Sequence, residues 1–104
     1  MFLTNAFSLN MLPLPFNARC IPLTVAEASE MAKTATSAVG HADTAAVFSD
    51  VLGVPVAYNR ATIQLASGDK MLVGQYKGPR LPEGATTLPE GATIQFMLVE
   101  VGTP

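Results

Sequence analysis

The chain has 104 residues, 49% hydrophobic and 13% charged, a balance typical of one folded globular domain. Its net charge of −2 argues against general DNA or RNA binding, which depends on many basic contacts to phosphate. One cysteine and one histidine cannot supply a transition-metal site, and no apolar run is long enough to span a bilayer. We therefore expect a single cytoplasmic domain over residues 1–104 that lacks metal and cofactor and binds neither duplex nucleic acid nor membranes.

Two helices are predicted from local signals. Thr24 and Glu27 have the spacing of a capping box, which predicts a helix that begins there and runs to about Ala35. Apolar residues at helical spacing after Thr44 predict a second helix, which ends at Gly53. Apolar or alternating runs predict six strands, at residues 1–4, 17–23, 36–39, 61–65, 71–76 and 94–101.

This order of elements predicts an α/β (α+β) fold, a small mixed sheet of five to six strands with two helices packed on it. The alternation over residues 61–65, followed by Ser-Gly-Asp at 67–69, predicts a β-hairpin with residues 71–76. Residues 96–99 are apolar on both faces, which predicts a central strand.

The only histidine, His41, follows Gly40 where a predicted strand passes into a predicted helix. A helix start offers free backbone N–H groups and the positive end of the helix dipole, which suits a phosphate. The same pattern also fits a surface histidine beside a structural glycine, since strand–helix turns occur throughout α/β folds. The local pattern leaves both interpretations open.

The chemistry available to the chain is narrow. It lacks a glycine-rich nucleotide loop of either standard spacing and a nucleophile-elbow motif. What remains is His41, a few arginines, and Glu83 three residues after Arg80. This set suits metal-independent phosphodiester cleavage, in which a histidine protonates a leaving oxygen and arginines neutralise phosphate.

Four blocks of sequence resemble the viral anti-CRISPR ring nuclease family, whose relatives also occur in type III CRISPR loci. The blocks are LTNAFSLNML at residues 3–12, VGHADT at 39–44, Asn-Arg at 59–60 and RLPEG at 80–84. They follow the family's order and run through nearly the whole chain. The resemblance implies a homodimer that binds cyclic tetra-adenylate, the messenger of type III CRISPR defence, and cleaves it.

The resemblance also implies roles for individual residues. His41 corresponds to the general acid and Glu83 to its catalytic helper, with Glu90 as a rival in a second copy of the Leu-Pro-Glu-Gly-Ala-Thr segment. The residues that would bind the ligand or support its site are Arg80, Arg60, Asn5, Ser8, Asn10 and Gln75. We expect linear di-adenylate products with 2′,3′-cyclic phosphate ends.

Two other functions compete with this interpretation. A binding protein would sequester the cyclic oligonucleotide without cutting it, and an interaction protein would pair a sheet edge with a partner. The joint presence of His41 and Glu83 favours the enzyme, because binding alone does not require a proton donor.

Overall fold

The computed structural model describes residues 1–102 and contains five strands and two α-helices within that range. The strands are β1 (Phe2–Thr4), β2 (Asn17–Leu23), β3 (Thr36–Ser37), β4 (Lys70–Lys77) and β5 (Thr93–Gly102), and the helices are α1 (Val25–Ala32) and α2 (Ala42–Leu52). A short 3-10 helix at Leu9–Met11 lies between β1 and β2. The predicted α+β fold with a mixed sheet and two helices is confirmed.

The five strands form one sheet in the order β2-β5-β4-β1-β3. Strand β5 pairs antiparallel with both β2 and β4, so the predicted central strand at residues 96–99 is confirmed. Strand β1 pairs parallel with both β3 and β4. Three adjacent parallel strands therefore bring their carboxyl ends to the same edge of the sheet.

Helix α2 packs on one face of the sheet through Phe48, whose ring meets that of Phe96 edge to face at 5.7 Å between centroids. Gly74 in β4 lies against both rings. A Cβ atom at this glycine would stand 2.7 Å from Cζ of Phe48 and 2.8 Å from Cε1 of Phe96, closer than carbon atoms approach. The missing side chain thus sets how closely α2 approaches the sheet.

Irregular chain segments cover the opposite face. Ile63 and Leu65 are buried there with Val73, and the N–H of Leu65 donates to the carbonyl of Met11 at 2.7 Å. The predicted strand at residues 61–65 and its hairpin are therefore wrong. Both edges of β4 are already paired, with β1 and β5, so this alternating segment lies across the face of the sheet instead.

The local signals that predicted the start of α1 and the end of α2 are present in the structure. The hydroxyl of Thr24 accepts from the N–H of Glu27 at 3.1 Å, and the Glu27 carboxylate accepts from the N–H of Thr24 at 2.9 Å. The hydrogen bond from the Thr24 backbone N–H to the carboxylate, together with a weaker one from the Thr24 side chain, lowers the pKa of Glu27. Gly53, with φ of 69°, ends α2 in the left-handed conformation. Within residues 1–102 neither helix has the length and apolar character to cross a membrane.

Candidate functional site

The candidate site lies at the edge of the sheet where β1, β3 and β4 end. Asn5 directly follows β1, His41 comes shortly after β3, and Arg80 shortly after β4. The carboxyl ends of parallel strands are the usual ligand-binding edge of open α/β sheets, because the connecting loops there can surround a ligand. The topology explains how residues far apart in the sequence reach one place.

A central cavity of about 520 Å³ lies at this edge. Its lining residues come from the end of β1, the first turn of α2, and the end of β4 with the loop beyond it: Asn5, Thr44, Gln75, Tyr76, Gly78, Arg80 and Leu81. Asn5, Gln75 and Arg80 were all predicted as site residues, and the structure brings the three together. Two amides and a guanidinium supply hydrogen-bond donors and one positive charge to this cavity.

A second, loop cavity of about 530 Å³ adjoins the first. It is lined by Asp43, Arg80, Leu81, Pro82 and Glu83, and Arg80 and Leu81 line both cavities. The predicted residues Arg80 and Glu83 thus share this space with a second carboxylate, Asp43. Within residues 1–102 no group of three or more His, Cys, Asp or Glu side chains could hold a metal ion.

His41 occupies the N-cap position of α2. Its carbonyl accepts the first helical hydrogen bond, from the N–H of Ala45 at 2.9 Å, and its exposed imidazole makes no capping hydrogen bond. The next turn of the helix carries Asp43, which lines the loop cavity, and Thr44, which lines the central cavity. His41 therefore stands at the start of the helix turn that faces the site, while its own side chain lies outside both cavity linings.

Arg60 is fixed beside the His41 turn. The main-chain N–H of Asn59 donates to Val39 at 2.9 Å, and the Asn59 amide donates to the carbonyl of Ser37 at 2.6 Å. These bonds hold the segment before Arg60 along the end of β3. A Cβ atom at Gly40 would lie 3.5 Å from Cγ of Arg60, an ordinary contact distance. Arg60 thus reaches the Gly-His turn, although it lines neither cavity.

Among the described residues, Arg60 and Arg80 differ from two of the lysines in having no ion-pair partner. Lys33 pairs with Glu30 at 2.7 Å and Lys70 with Glu100 at 3.5 Å. Across residues 1–102, the ion pairs include neither Arg60 nor Arg80. An exposed guanidinium without an acidic partner can bind phosphate with two parallel hydrogen bonds.

The duplicated Leu-Pro-Glu-Gly-Ala-Thr segment folds into the same turn twice. In each copy the alanine N–H donates to the proline carbonyl at 3.1 Å, and the glycines have positive φ, 78° at Gly84 and 80° at Gly91. This is the geometry of a type II turn, which requires glycine at its third position. Glu83 and Glu90 hold equivalent places, but only Glu83 lines the loop cavity with Arg80.

Ser8 and Asn10 support the segment that carries Asn5. The hydroxyl of Ser8 accepts from the N–H of Asn10 at 3.2 Å and caps the short 3-10 helix. The hydroxyl of buried Thr4 bonds to both the N–H and the carbonyl of Ala6, at 3.4 Å and 3.3 Å. Ser8 and Asn10 lie outside the linings of both cavities, so their contribution seen here is to the shape of this turn.

Three lining residues with polar side chains escaped the interpretation of the sequence. Asp43 and Thr44 follow His41, and their position in the first helical turn after this candidate histidine is the signal that points to them. Tyr76 lies on the strand face opposite Gln75, and its hydroxyl donates to the carbonyl of Pro79. That bond ties the start of the Arg80 loop to β4 across three residues of the chain, and no sequence motif signals it.

Comparisons with known proteins agree with this fold. The model of the STIV B116-like family matches residues 1–98. The structure is similar to that of B116 of Sulfolobus turreted icosahedral virus (STIV), with a TM-score of 0.80 and 28% sequence identity. The alignment covers 95% of this chain and 97% of that one. No curated protein matches the sequence.

Proposed function

The chain belongs to the STIV B116-like family, a viral protein family, and we propose that it is a metal-independent ring nuclease. Its substrate is cyclic tetra-adenylate, which it cleaves to linear di-adenylate with 2′,3′-cyclic phosphate ends. Removal of this messenger silences type III CRISPR effectors, an anti-CRISPR activity. The resemblance of four sequence blocks to ring nucleases suggests this activity, which family membership alone does not assign.

One observation carries the proposal: unpaired Arg80 lines two adjoining cavities, with Glu83 in one and Asn5 and Gln75 in the other. A guanidinium supplies the charge that binds phosphate, and the amides supply hydrogen bonds for sugar or base. The start of α2 borders the same cavities and adds a positive helix end. This arrangement supports binding of an anionic ligand with several polar groups.

The proposed reaction uses the nucleophile that the substrate already contains. The 2′-hydroxyl of a ribose attacks the adjacent phosphorus and releases its proton to water, while the P–O2′ bond forms and the P–O5′ bond breaks. His41 donates a proton to the leaving O5′, and Arg80 offsets the charge on the phosphate. Because attack and departure occur in line, most of the rate enhancement comes from positioning.

We further propose that the protein acts as a homodimer. Cyclic tetra-adenylate has two-fold symmetry, so a two-fold dimer presents equivalent groups to opposite phosphates of the ring. One histidine per chain then suffices for two cuts. Light scattering at micromolar concentration should give twice the monomer mass, and a monomer that remains a monomer with ligand contradicts this part of the proposal.

A binding protein without nuclease activity is the second candidate. The observation that favours it is the position of the His41 imidazole outside both cavity linings. Incubation of the protein with cyclic tetra-adenylate in EDTA separates the two functions. Linear products support the nuclease, an intact bound ring supports the binding protein, and absence of binding contradicts both.

A further inference from the structure

A third, side cavity of about 310 Å³ opens beside the central cavity. Its lining residues come from the segment after β1 and from β4 and β5: Asn5, Ala6, Phe7, Val73, Gln75 and Met97. Asn5 and Gln75 line both this side cavity and the central one. The two cavities therefore lie on either side of a shared pair of amide side chains.

The side cavity is lined by uncharged side chains, whereas the linings of the other two cavities include Arg80. Half-buried Phe7 and Met97, together with buried Val73, give it one apolar wall that includes an aromatic ring. The amides of Asn5 and Gln75 stand at the junction with the central cavity. An apolar pocket of this size with a few polar groups at one end is typical of sites for small heterocycles.

We propose that the side cavity is a base subsite that selects adenine. The faces of a purine match apolar walls and an aromatic ring, as in proteins that stack nucleobases. The side-chain amide of Gln75 donates one hydrogen bond and accepts another, which fits the paired acceptor and amino group on the edge of adenine. Phe7, Val73 and Met97 thereby gain a role in substrate selection.

This inference rests on the proposed function, because it places a base of the ring beside the phosphate that Arg80 binds. Because Asn5 and Gln75 line both cavities, a base in the side cavity would lie next to a phosphate in the central one. A base held in the side cavity would fix the orientation of its ribose at the central cavity. Base selection and phosphate positioning would then be coupled in one bound ligand.

The first test blocks the side cavity. The variant Ala6→Trp places a large ring at this exposed lining position, and Ala18→Trp places the same ring at an exposed position on β2, outside the cavity. The probe is cyclic tetra-deoxyadenylate, which lacks the 2′-hydroxyl and so resists cleavage. We expect Ala6→Trp to raise its dissociation constant by about tenfold or more, and Ala18→Trp to change it by less than about twofold.

The outcomes of this test are distinct. If the wild-type protein binds the ring and Ala6→Trp binds it equally well, the base subsite is refuted while the proposed function stands. If the wild-type protein binds neither this ring nor cyclic tetra-adenylate, both proposals fail. Circular dichroism shows whether each variant is folded, and the substituted positions are exposed, so we expect both to fold.

A second variant tests selection directly and does not alter the size of the cavity. Gln75→Glu keeps the shape of an exposed side chain but removes its hydrogen-bond donor. We expect the wild-type protein to prefer the deoxyadenylate ring over the deoxythymidylate ring by about tenfold or more, and Gln75→Glu to lose most of that preference. An unchanged preference in Gln75→Glu, or no preference in the wild-type protein, overturns the proposal.

Discussion

The substitution Gly74→Ala tests how closely α2 is packed on the sheet. The added Cβ would lie 2.7 and 2.8 Å from Phe48 and 2.8 Å from Phe96, whose side chains are 0% and 1% exposed. Neither ring can move into solvent, so the contact has to be relieved by displacement of α2 or of the strands. Because α2 carries His41, this packing also determines where the histidine lies.

The expected cost follows from overpacking in a closed core. Forcing one extra methyl group into such a site costs about 1–3 kcal/mol. Replacement of glycine by alanine returns about 0.4–1 kcal/mol, because the unfolded chain loses freedom. The midpoints of these two ranges leave a net loss of about 1.3 kcal/mol, which lowers the melting temperature of a domain of this size by roughly 5–10 °C.

Thermal unfolding followed by circular dichroism measures this loss. Gly102→Ala is the matched control, because its Cβ would meet Asn17 at 3.8 Å, an ordinary contact. We expect that control to melt within about 2 °C of the wild-type protein. If Gly74→Ala melts at the same temperature as Gly102→Ala, the close approach of Phe48 and Phe96 to β4 is wrong.

Three further predictions concern single side chains. Arg80→Ala should raise the dissociation constant for cyclic tetra-adenylate by about tenfold or more, because a charged hydrogen bond is lost. It should change the saturated single-turnover rate less. A large fall in that rate at unchanged affinity refutes the assignment of Arg80 to binding. Glu83→Gln should slow cleavage by about tenfold or more, whereas Glu90→Gln, on the equivalent turn, should leave the cleavage rate unchanged. Equal cleavage rates for the two variants contradict the role of Glu83 as the catalytic helper of His41. The capping box lowers the pKa of Glu27 below its ordinary 4.5, so its stabilising contribution is present above that pH and is lost as the pH falls through the folded value. Melting temperatures of the wild-type protein and Glu27→Ala should therefore differ near neutrality and converge at acid pH, and a constant difference contradicts this assignment.

The sequence predicted those parts of the fold that depend on local signals. The capping box at Thr24 and the glycine stop at Gly53 lie within a few residues of the elements that they begin and end. Strand pairing depends on distant segments, and there the interpretation went wrong at residues 61–65. Alternation of Ile63 and Leu65 shows that one side of the segment is buried, but it does not show that a sheet edge is available.

The candidate site shows the same division. Asn5, Arg80 and Glu83 were found from sequence blocks, and the parallel pairing of β1 with β4 explains why Asn5 and Arg80 lie together. Tyr76 was missed because its role depends on a hydrogen bond to Pro79 and on the strand face that it occupies. That bond spans only three residues, so Tyr76 was missed for want of a motif and not because its partner is distant in the chain.

Cleavage by His41→Ala tests the proposed catalytic role most directly. The exposed position of His41 at the start of α2 predicts that the variant keeps its fold and its affinity for cyclic tetra-adenylate. The measurement is the single-turnover rate of ring opening in EDTA, with protein in excess over ligand. Loss of a positioned general acid should lower that rate by about a hundredfold or more. If His41→Ala opens the ring at the wild-type rate, the catalytic assignment is wrong.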